Sequence, residues 1–175
     1  MRWLFATVLF VGWIGSAAAE VVASGEDGFV SEHELLLGAP PERVYEALTA
    51  EVHRWWDPAH SYSGDAANLY LEARALGCFC EKLPASGGSV AHMQVAFADP
   101  GKTLRLLGGL GPLQGMGASG AMQFSLQPIE GGTLLKYRYT VSGFSPEGMG
   151  ELAEPVDRVQ LGQLRRLQSY LGSNP

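Results

Sequence analysis

The sequence predicts an α+β fold in which an antiparallel sheet of about seven strands packs against a long C-terminal helix, with two short helices after the first strand. Three observations support this prediction. Short strand-like runs follow one another between Gly, Pro, Asp and Ser turns. The end of the chain carries an apolar stripe at helical spacing. The chain also contains 23 Gly and 10 Pro, which indicates many turns and argues against a helical bundle.

The first strand and the two short helices are predicted from residues 29–56. Residues 29–37 (FVSEHELLL) have strand character and end at a Gly-Ala-Pro-Pro sequence. Pro41 is well placed in the first turn of a helix, and residues 42–48 repeat apolar side chains at helical spacing. Residues 49–56 predict a second short helix, which ends before an Asp-Pro pair.

Six further strand-like runs predict an antiparallel meander, because turn residues separate each run from the next. The last run alternates most clearly, with Leu135, Tyr137 and Tyr139 on one face and Lys136 and Arg138 on the other. One face of the sheet is therefore expected to be dry. The six runs are residues 69–73, 78–83, 90–98, 103–107, 121–126 and 133–141.

The chain is predicted to end in an amphipathic helix over residues 155–171. Val156, Val159, Leu164 and Leu167 fall within one broad apolar stripe. A single terminal helix of this kind needs an apolar surface to cover, and the dry face of the meander is the large surface available.

The N-terminus has the pattern of a cleavable signal peptide over residues 1–19. Arg2 precedes an apolar run over residues 3–14, and small residues at 16–19 supply a cleavage site. The apolar run is shorter than the roughly 20 residues of a membrane-spanning helix, so no stable membrane anchor is expected after cleavage. We therefore expect a periplasmic or secreted protein with a flexible N-terminus at 20–28, one domain at 29–171 and a short tail at 172–175.

Charge and motif content exclude several classes of partner. The chain carries 12 Lys and Arg against 18 Asp and Glu, whereas binding to nucleic acid or to anionic membranes needs clustered cations. The glycine-rich residues 108–115 lack the Lys-Ser/Thr ending of a phosphate loop, so they are interpreted as a flexible loop and a candidate lid. No cofactor is predicted.

Three short motifs, together with the order of elements, give a family resemblance. They are the APPERVYEAL run at 39–48, the Trp-Trp-Asp sequence at 55–57, and the Leu-Arg-Leu sequence at 104–106 that follows an Asp-Pro pair. Over residues 29–171 the chain resembles the SRPBCC superfamily, which includes START lipid carriers, polyketide cyclases and homologues of the heat-shock-protein ATPase activator. The resemblance implies a helix-grip fold, a curved sheet that grips the last helix with a cavity between them. It implies no particular reaction, because one fold serves many functions.

The candidate ligand-binding residues come from two segments. Trp55, Trp56, His60 and Tyr62 lie at the cavity mouth by resemblance, although large aromatic residues more often serve packing, and the Trp pair would then anchor the short helices to the sheet. In the last helix, two glutamines interrupt the apolar stripe, and a buried amide needs a hydrogen-bond partner. Facing them by resemblance are two tyrosines of the last strand, a combination that suits an amphipathic ligand. These four residues are Gln160, Gln163, Tyr137 and Tyr139.

Glu72, Glu81 and His92 are the candidate catalytic residues. All three fall within predicted strands, and a buried carboxylate beside an imidazole can act as a general base and acid. The strand register, which the sequence leaves open, decides whether they face the cavity or water.

Cys78 and Cys80 are the only cysteines of the chain. Residues two apart in a regular strand hold their side chains too far apart for a disulfide, so no bridge is predicted. A hairpin near Ser86 would place Cys80 opposite His92, which makes these three side chains weak candidates for a metal site that lacks a fourth ligand. His53, Asp57 and His60 form a similarly weak cluster.

These observations favour the binding of an apolar or amphipathic small molecule between the sheet and the last helix. Two alternatives stay open: an enzyme such as a cyclase, dehydratase or hydrolase acting on such a molecule, and a protein-interaction module like the chaperone ATPase activators, with an unknown protein partner. An enclosed cavity with one polar cluster favours the enzyme, a smooth apolar cavity favours the carrier, and a filled cavity with an exposed apolar patch favours the interaction module.

Overall fold

The computed structural model describes residues 21–173, and these form one curved antiparallel sheet with a long helix against it. The sheet has eight strands in the order β1-β2-β8-β7-β6-β5-β4-β3, so the early strand β2 pairs with the last strand. This is the helix-grip fold that was predicted. The strands are β1 Val21–Gly25, β2 Gly28–Leu37, β3 Leu69–Leu71, β4 Cys78–Leu83, β5 Gly88–Asp99, β6 Thr103–Leu107, β7 Ser119–Ile129 and β8 Gly132–Ser142.

Four α-helices and three 3-10 turns complete the described residues. The two short helices after β2 are α1 Pro41–Thr49 and α2 Val52–Trp55, and Pro41 occupies the first turn as predicted. The long terminal helix is α4 Ala153–Ser173, so the predicted tail begins within a helix. The remaining elements are α3 Pro112–Gly115 and the 3-10 turns Pro58–His60, Ala66–Asn68 and Met149–Leu152.

The described N-terminal segment is a strand, which corrects the prediction of a flexible stretch at 20–28. β1 pairs antiparallel with β2, with Gly25 opposite Gly28 across a tight turn. The turn is held by hydrogen bonds from Met149 N–H to the Glu26 carbonyl and from Gly143 N–H to the Asp27 carbonyl. Four of the five β1 residues are exposed, so the strand has no alternating apolar pattern for a sequence reading to detect. The predicted signal peptide lies outside the described residues.

The core lies between the concave face of the sheet and α4. Leu135, Tyr137, Tyr139 and Val141 of β8 are all buried, as their alternation predicted. The apolar stripe of α4 covers this face, where Leu167 is fully buried. Burial of apolar area on both surfaces stabilises the packing of helix on sheet. No helix within residues 21–173 has both the length and the apolar character needed to cross a membrane.

The glycine-rich segment at 108–115 is packed against the sheet, which corrects its interpretation as a flexible loop. It contains α3, and its leucines Leu110 and Leu113 are buried. The Leu110 N–H donates to the hydroxyl of Tyr139 at 3.1 Å. A Cβ at Gly109 would lie 2.4 Å from the Ala118 carbonyl oxygen, so glycine there permits the close approach of two backbone segments.

Candidate functional site

A cavity of about 410 Å³ lies between α4, the 3-10 turn after α2, the segment around α3, and β5. Its volume falls within the range of small-molecule sites, about 300–1,000 Å³. Most of its walls are apolar, and a few polar side chains enter them. The lining residues that bear on function are Trp56, His60, Tyr62, His92, Leu113, Val156, Val159 and Gln160.

The segment at the cavity mouth is held by its own polar groups. The indole N–H of Trp56 donates to the His60 carbonyl at 3.0 Å, and the Asp57 carboxylate accepts from the Ala59 N–H at 3.0 Å. The Trp56 and Phe79 rings pack edge-to-face, with their centroids 5.4 Å apart. Trp56, His60 and Tyr62 line the cavity, and their contact with a ligand stays a prediction.

Trp55 has a different role from its neighbour, which corrects its assignment to ligand binding. Its side chain is buried, and its indole N–H donates to the Ala47 carbonyl at 2.8 Å. The residue therefore anchors α2 to α1 and lies outside the cavity wall. Trp55 thus fits the anchoring interpretation, whereas Trp56 lines the cavity.

Of the two glutamines in the α4 stripe, Gln160 lines the cavity and Gln163 does not. Gln160 Oε1 accepts from the Tyr137 hydroxyl at 3.1 Å, which leaves its amino group as the part of the amide available to a ligand. Gln163 Oε1 accepts from the Asp57 N–H at 2.9 Å.

Three predicted ligand contacts are therefore corrected: Gln163, Tyr137 and Tyr139 lie outside the cavity wall. The Gln163 side chain accepts a hydrogen bond from the mouth segment, and both tyrosine hydroxyls form hydrogen bonds within the protein. Each of these buried polar groups has its hydrogen-bond partner within the same chain, and the sequence analysis did not predict these partners.

Glu81 and His92 form a buried hydrogen-bonded pair, of which His92 lines the cavity. His92 Nε2 lies 3.0 Å from Glu81 Oε2, and Glu81 is fully buried. The carboxylate also accepts the backbone N–H of Tyr62 at 3.0 Å and of Ser63 at 2.5 Å. The second imidazole nitrogen of His92, Nδ1, is buried with no hydrogen-bond partner among the described residues. Glu81 itself lies behind His92, outside the cavity wall.

The surroundings shift the pKa of both groups downward. Burial raises the pKa of the Glu81 carboxyl, but the hydrogen bonds from Ser63, Tyr62 and His92 outweigh it, and the net pKa lies below the ordinary value. Burial lowers the pKa of His92, and the Glu81 carboxylate offsets only part of this effect. At neutral pH the pair is therefore an ionised carboxylate beside a neutral imidazole.

A β-bulge turns His92 toward Glu81. Phe79 pairs with Met93 and Cys80 pairs with Ala91, so His92 is the extra residue of β5 between them. Its ring contacts the rings of Phe79 and Tyr62. The prediction that Cys80 lies opposite His92 is therefore wrong by one residue, because Cys80 pairs with Ala91.

The structure joins Cys78 and Cys80 in a disulfide, so the prediction of two free thiols is wrong. Their Cα atoms lie 5.4 Å apart, less than the roughly 6.4–6.8 Å that two residues of a regular strand span. The strand is locally contracted where it pairs with the bulge, and this brings the Cα separation close to the roughly 5.5–6 Å that is most common in disulfides. These sulfurs are therefore not available to a metal beside His92.

The other candidate ligands and acids do not converge either. Glu72 is exposed and pairs with Arg74 at 3.0 Å, which removes it from the candidate catalytic residues. His53 is exposed on α2, and Asp57 caps the following 3-10 turn. Within residues 21–173, no three His, Cys, Asp or Glu side chains are grouped so that they could hold a metal ion.

The sequence reading missed a buried polar cluster formed by Ser31, His33 and Asp157. Asp157 Oδ1 accepts the Ser31 hydroxyl and lies 2.8 Å from His33 Nε2, and all three residues are buried. The sequence did contain a signal for this cluster, because Ser31 and His33 are polar residues at inward-facing positions of β2. Both contacts converge on one carboxylate oxygen, whereas a nucleophilic triad needs the imidazole between the hydroxyl and the acid. None of the three lines the cavity, so the cluster links β2 to α4.

No protein-family model and no curated protein matches the chain. Solved structures do. An uncharacterized protein from Rhizobium leguminosarum superposes with a TM-score of 0.64 at 19% identity, covering 85% of this chain and 97% of that one. The Mll3558 protein from Rhizobium loti gives 0.60 at 21% identity, covering 80% and 94%.

A third similar structure is DynU16, a protein of the dynemicin biosynthetic locus. Its TM-score is 0.54 at 17% identity, and the match covers 82% of this chain and 47% of DynU16. What these proteins share with this chain is the fold. At such identities the likeness carries neither a ligand nor a reaction.

Proposed function

We propose that the protein binds an amphipathic small molecule in the cavity between the sheet and α4. The observation that carries this proposal is the cavity itself, about 410 Å³ with mostly apolar walls and polar groups from His92 and Gln160. A protein-interaction module is less favoured, because such a module would fill this space. Membership of the SRPBCC superfamily and export to the periplasm or the medium are part of the same proposal. They are supported by the fold and by the signal-peptide pattern at residues 1–19.

A fluorescent binding experiment tests the proposal. N-phenyl-1-naphthylamine, an uncharged apolar probe, is expected to give a saturable signal with the folded protein. Val159 lines the cavity on α4, so Val159→Trp fills the space and is expected to weaken binding at least tenfold. Arg158→Trp places the same ring one residue away on the exposed side of α4 and is the matched control. Equal affinities for the two variants would contradict binding in this cavity.

The Glu81–His92 pair supports a second candidate, an enzyme that moves a proton on the bound molecule. A neutral imidazole oriented by a buried carboxylate has the arrangement of a general base. His92 would take a proton from a carbon adjacent to a ligand carbonyl through Nδ1 and return it to the same ligand. Exchange of the C1 hydrogens of 2-tetralone in D2O, followed by NMR, measures such a step. An exchange rate that is the same with wild-type protein and with His92→Phe would exclude it for this class of ligand.

A further inference from the structure

Resting on the proposed binding function, we propose that the cavity selects uncharged ligands that carry a hydroxyl or N–H group, and that this donor bonds to Nδ1 of His92. The cavity would then discriminate by hydrogen-bond polarity and by charge, as well as by shape. Three features of the site support this selectivity: the proton position on His92, the lack of charged side chains among the described residues of the cavity wall, and the amide of Gln160.

The position of the proton on His92 follows from its partner. An ionised carboxylate only accepts hydrogen bonds, so the 3.0 Å contact with Glu81 Oε2 requires the proton on His92 Nε2. Burial keeps the imidazole neutral at pH 7, which leaves Nδ1 without a proton. Nδ1 is therefore an acceptor.

This acceptor has no partner within the described residues, although it is buried and its residue lines the cavity. Leaving a buried polar atom without a hydrogen bond is energetically costly. A ligand O–H or N–H that reaches Nδ1 removes this cost on binding, whereas an ether or methyl group at the same position does not. The site therefore favours donors over acceptors of equal size.

The cavity wall also disfavours a negative charge. Among the described residues that line it there is no Lys or Arg, and the polar members are His60, Ser61, Tyr62, His92 and Gln160. The buried Glu81 carboxylate stands behind His92, so an anion at Nδ1 would meet both an acceptor and a nearby negative charge. An anionic headgroup would lose its hydration without gaining a cation, which is unfavourable in a low-dielectric site.

Gln160 adds the complementary group on the helix side of the cavity. Its Oε1 is occupied by the Tyr137 hydroxyl, so its amino group is the part left for a ligand. A ligand that carries a hydroxyl and also a carbonyl or ether oxygen would satisfy both His92 and Gln160. An apolar skeleton with these two groups is the chemical class that the cavity fits.

Three naphthalenes of nearly equal size separate the contributions: 2-naphthol, 2-methoxynaphthalene and 2-naphthoate. Each is measured by displacement of N-phenyl-1-naphthylamine at pH 7. We expect 2-naphthol to bind at least about fivefold more tightly than 2-methoxynaphthalene, which is the effect of one net hydrogen bond. We expect 2-naphthoate to bind most weakly of the three. Equal affinities of the first two, or tightest binding by the carboxylate, would overturn the inference.

Two variants locate the effect. His92→Phe keeps a ring at the wall but removes the acceptor, so the preference for 2-naphthol over 2-methoxynaphthalene should disappear. His60→Phe, at the other histidine of the cavity wall, should keep it. If the fluorescent probe fails to bind wild-type protein at all, the proposed function itself fails; if the probe binds and the preference is absent or survives His92→Phe, only the inference about donors fails.

A measurement on the wild-type protein covers the case in which His92→Phe does not fold. Long-range 1H–15N correlation NMR of the histidine rings identifies which nitrogen of His92 carries the proton. We expect the proton on Nε2, with Nδ1 bare at pH 7. A proton on Nδ1 would turn the group into a donor and overturn the proposal.

Discussion

The backbone N–H of Asp57 donates a hydrogen bond of 2.9 Å to Oε1 of Gln163 on α4. This bond joins the segment at the cavity mouth to the terminal helix. Arg166 adds a second connection, because its Nε donates to the Trp55 carbonyl at 2.8 Å. The mouth segment is thus fixed to α4, and the cavity wall beside it depends on both bonds.

Gln163→Leu is expected to lower the free energy of unfolding by about 1–3 kcal/mol, because it leaves the Asp57 N–H without its acceptor in a partly buried position. The urea midpoint measures this loss. Gln168→Leu is the matched control on the same helix: its amide bonds to the Leu36 carbonyl but is exposed, so water replaces that bond. A control as unstable as Gln163→Leu would show that helix propensity, and not the lost bond, is responsible.

Acid is expected to destabilise the protein through His92 and then through Glu81. The pKa of each group is lower in the folded protein than its ordinary value, 6.5 for His92 and 4.5 for Glu81, so the unfolded chain binds protons first as the pH falls. The stability contribution of His92 is fully present above its unfolded pKa and decreases below it. That of Glu81 decreases below its own unfolded pKa.

Urea midpoints measured between about pH 7 and pH 5 test this dependence. His92→Phe should lose much less stability than wild-type protein over this range, because it has no imidazole to protonate. His53→Phe makes the same change at an exposed histidine and should keep the wild-type dependence. A His92→Phe curve parallel to that of the wild type would contradict the assignment.

The Cys78–Cys80 disulfide closes a very short loop, so its effect on stability should be small. The chain-entropy relation gives about 1.5 kcal/mol for such a loop. We expect Cys78→Ala/Cys80→Ala to unfold at a slightly lower urea concentration and to keep its fold. Alkylation of denatured, unreduced wild-type protein should modify neither cysteine, and modification of both would show that the bond is absent.

Asp157→Ala is expected to destabilise the protein by about 3–5 kcal/mol, because it removes the shared partner of two buried groups, Ser31 and His33. Glu154→Ala removes an exposed acid from the first turn of the same helix, and its cost should stay below about 1 kcal/mol. Thermal unfolding followed by circular dichroism compares the two. Similar costs would mean that the buried cluster does not hold α4 to β2.

Most of the sheet could be predicted because its signals are local. The predicted bounds of β4 and β6 agree with the structure, since turn residues flank both strands. The alternation in β8 predicted the buried face correctly. β1 was missed because its side chains are mostly exposed, and it is held by backbone hydrogen bonds to β2, which leave no mark on a sequence pattern.

The site could be predicted only in part. Trp56, His60, Tyr62, His92 and Gln160 were selected from the sequence and line the cavity. Trp55, Gln163, Tyr137 and Tyr139 were selected by the same arguments and do not. Both sets contain Trp, Tyr and Gln, so residue type alone does not separate them. They differ in which internal partner each polar group finds, and those partners lie up to 106 residues away in the chain.

The order of strands β2 to β8, the dry face of the sheet and the helix that covers it could be predicted from the sequence, because periodicity and turn residues act over a few positions. The tertiary structure decided which polar groups are satisfied inside the protein and which face the cavity. One extra residue in β5 turns His92 toward Glu81, and the paired strand β4 is contracted at its two cysteines. A register shift of this kind depends on pairing between strands, so its consequences for the site appear only once the chain is folded.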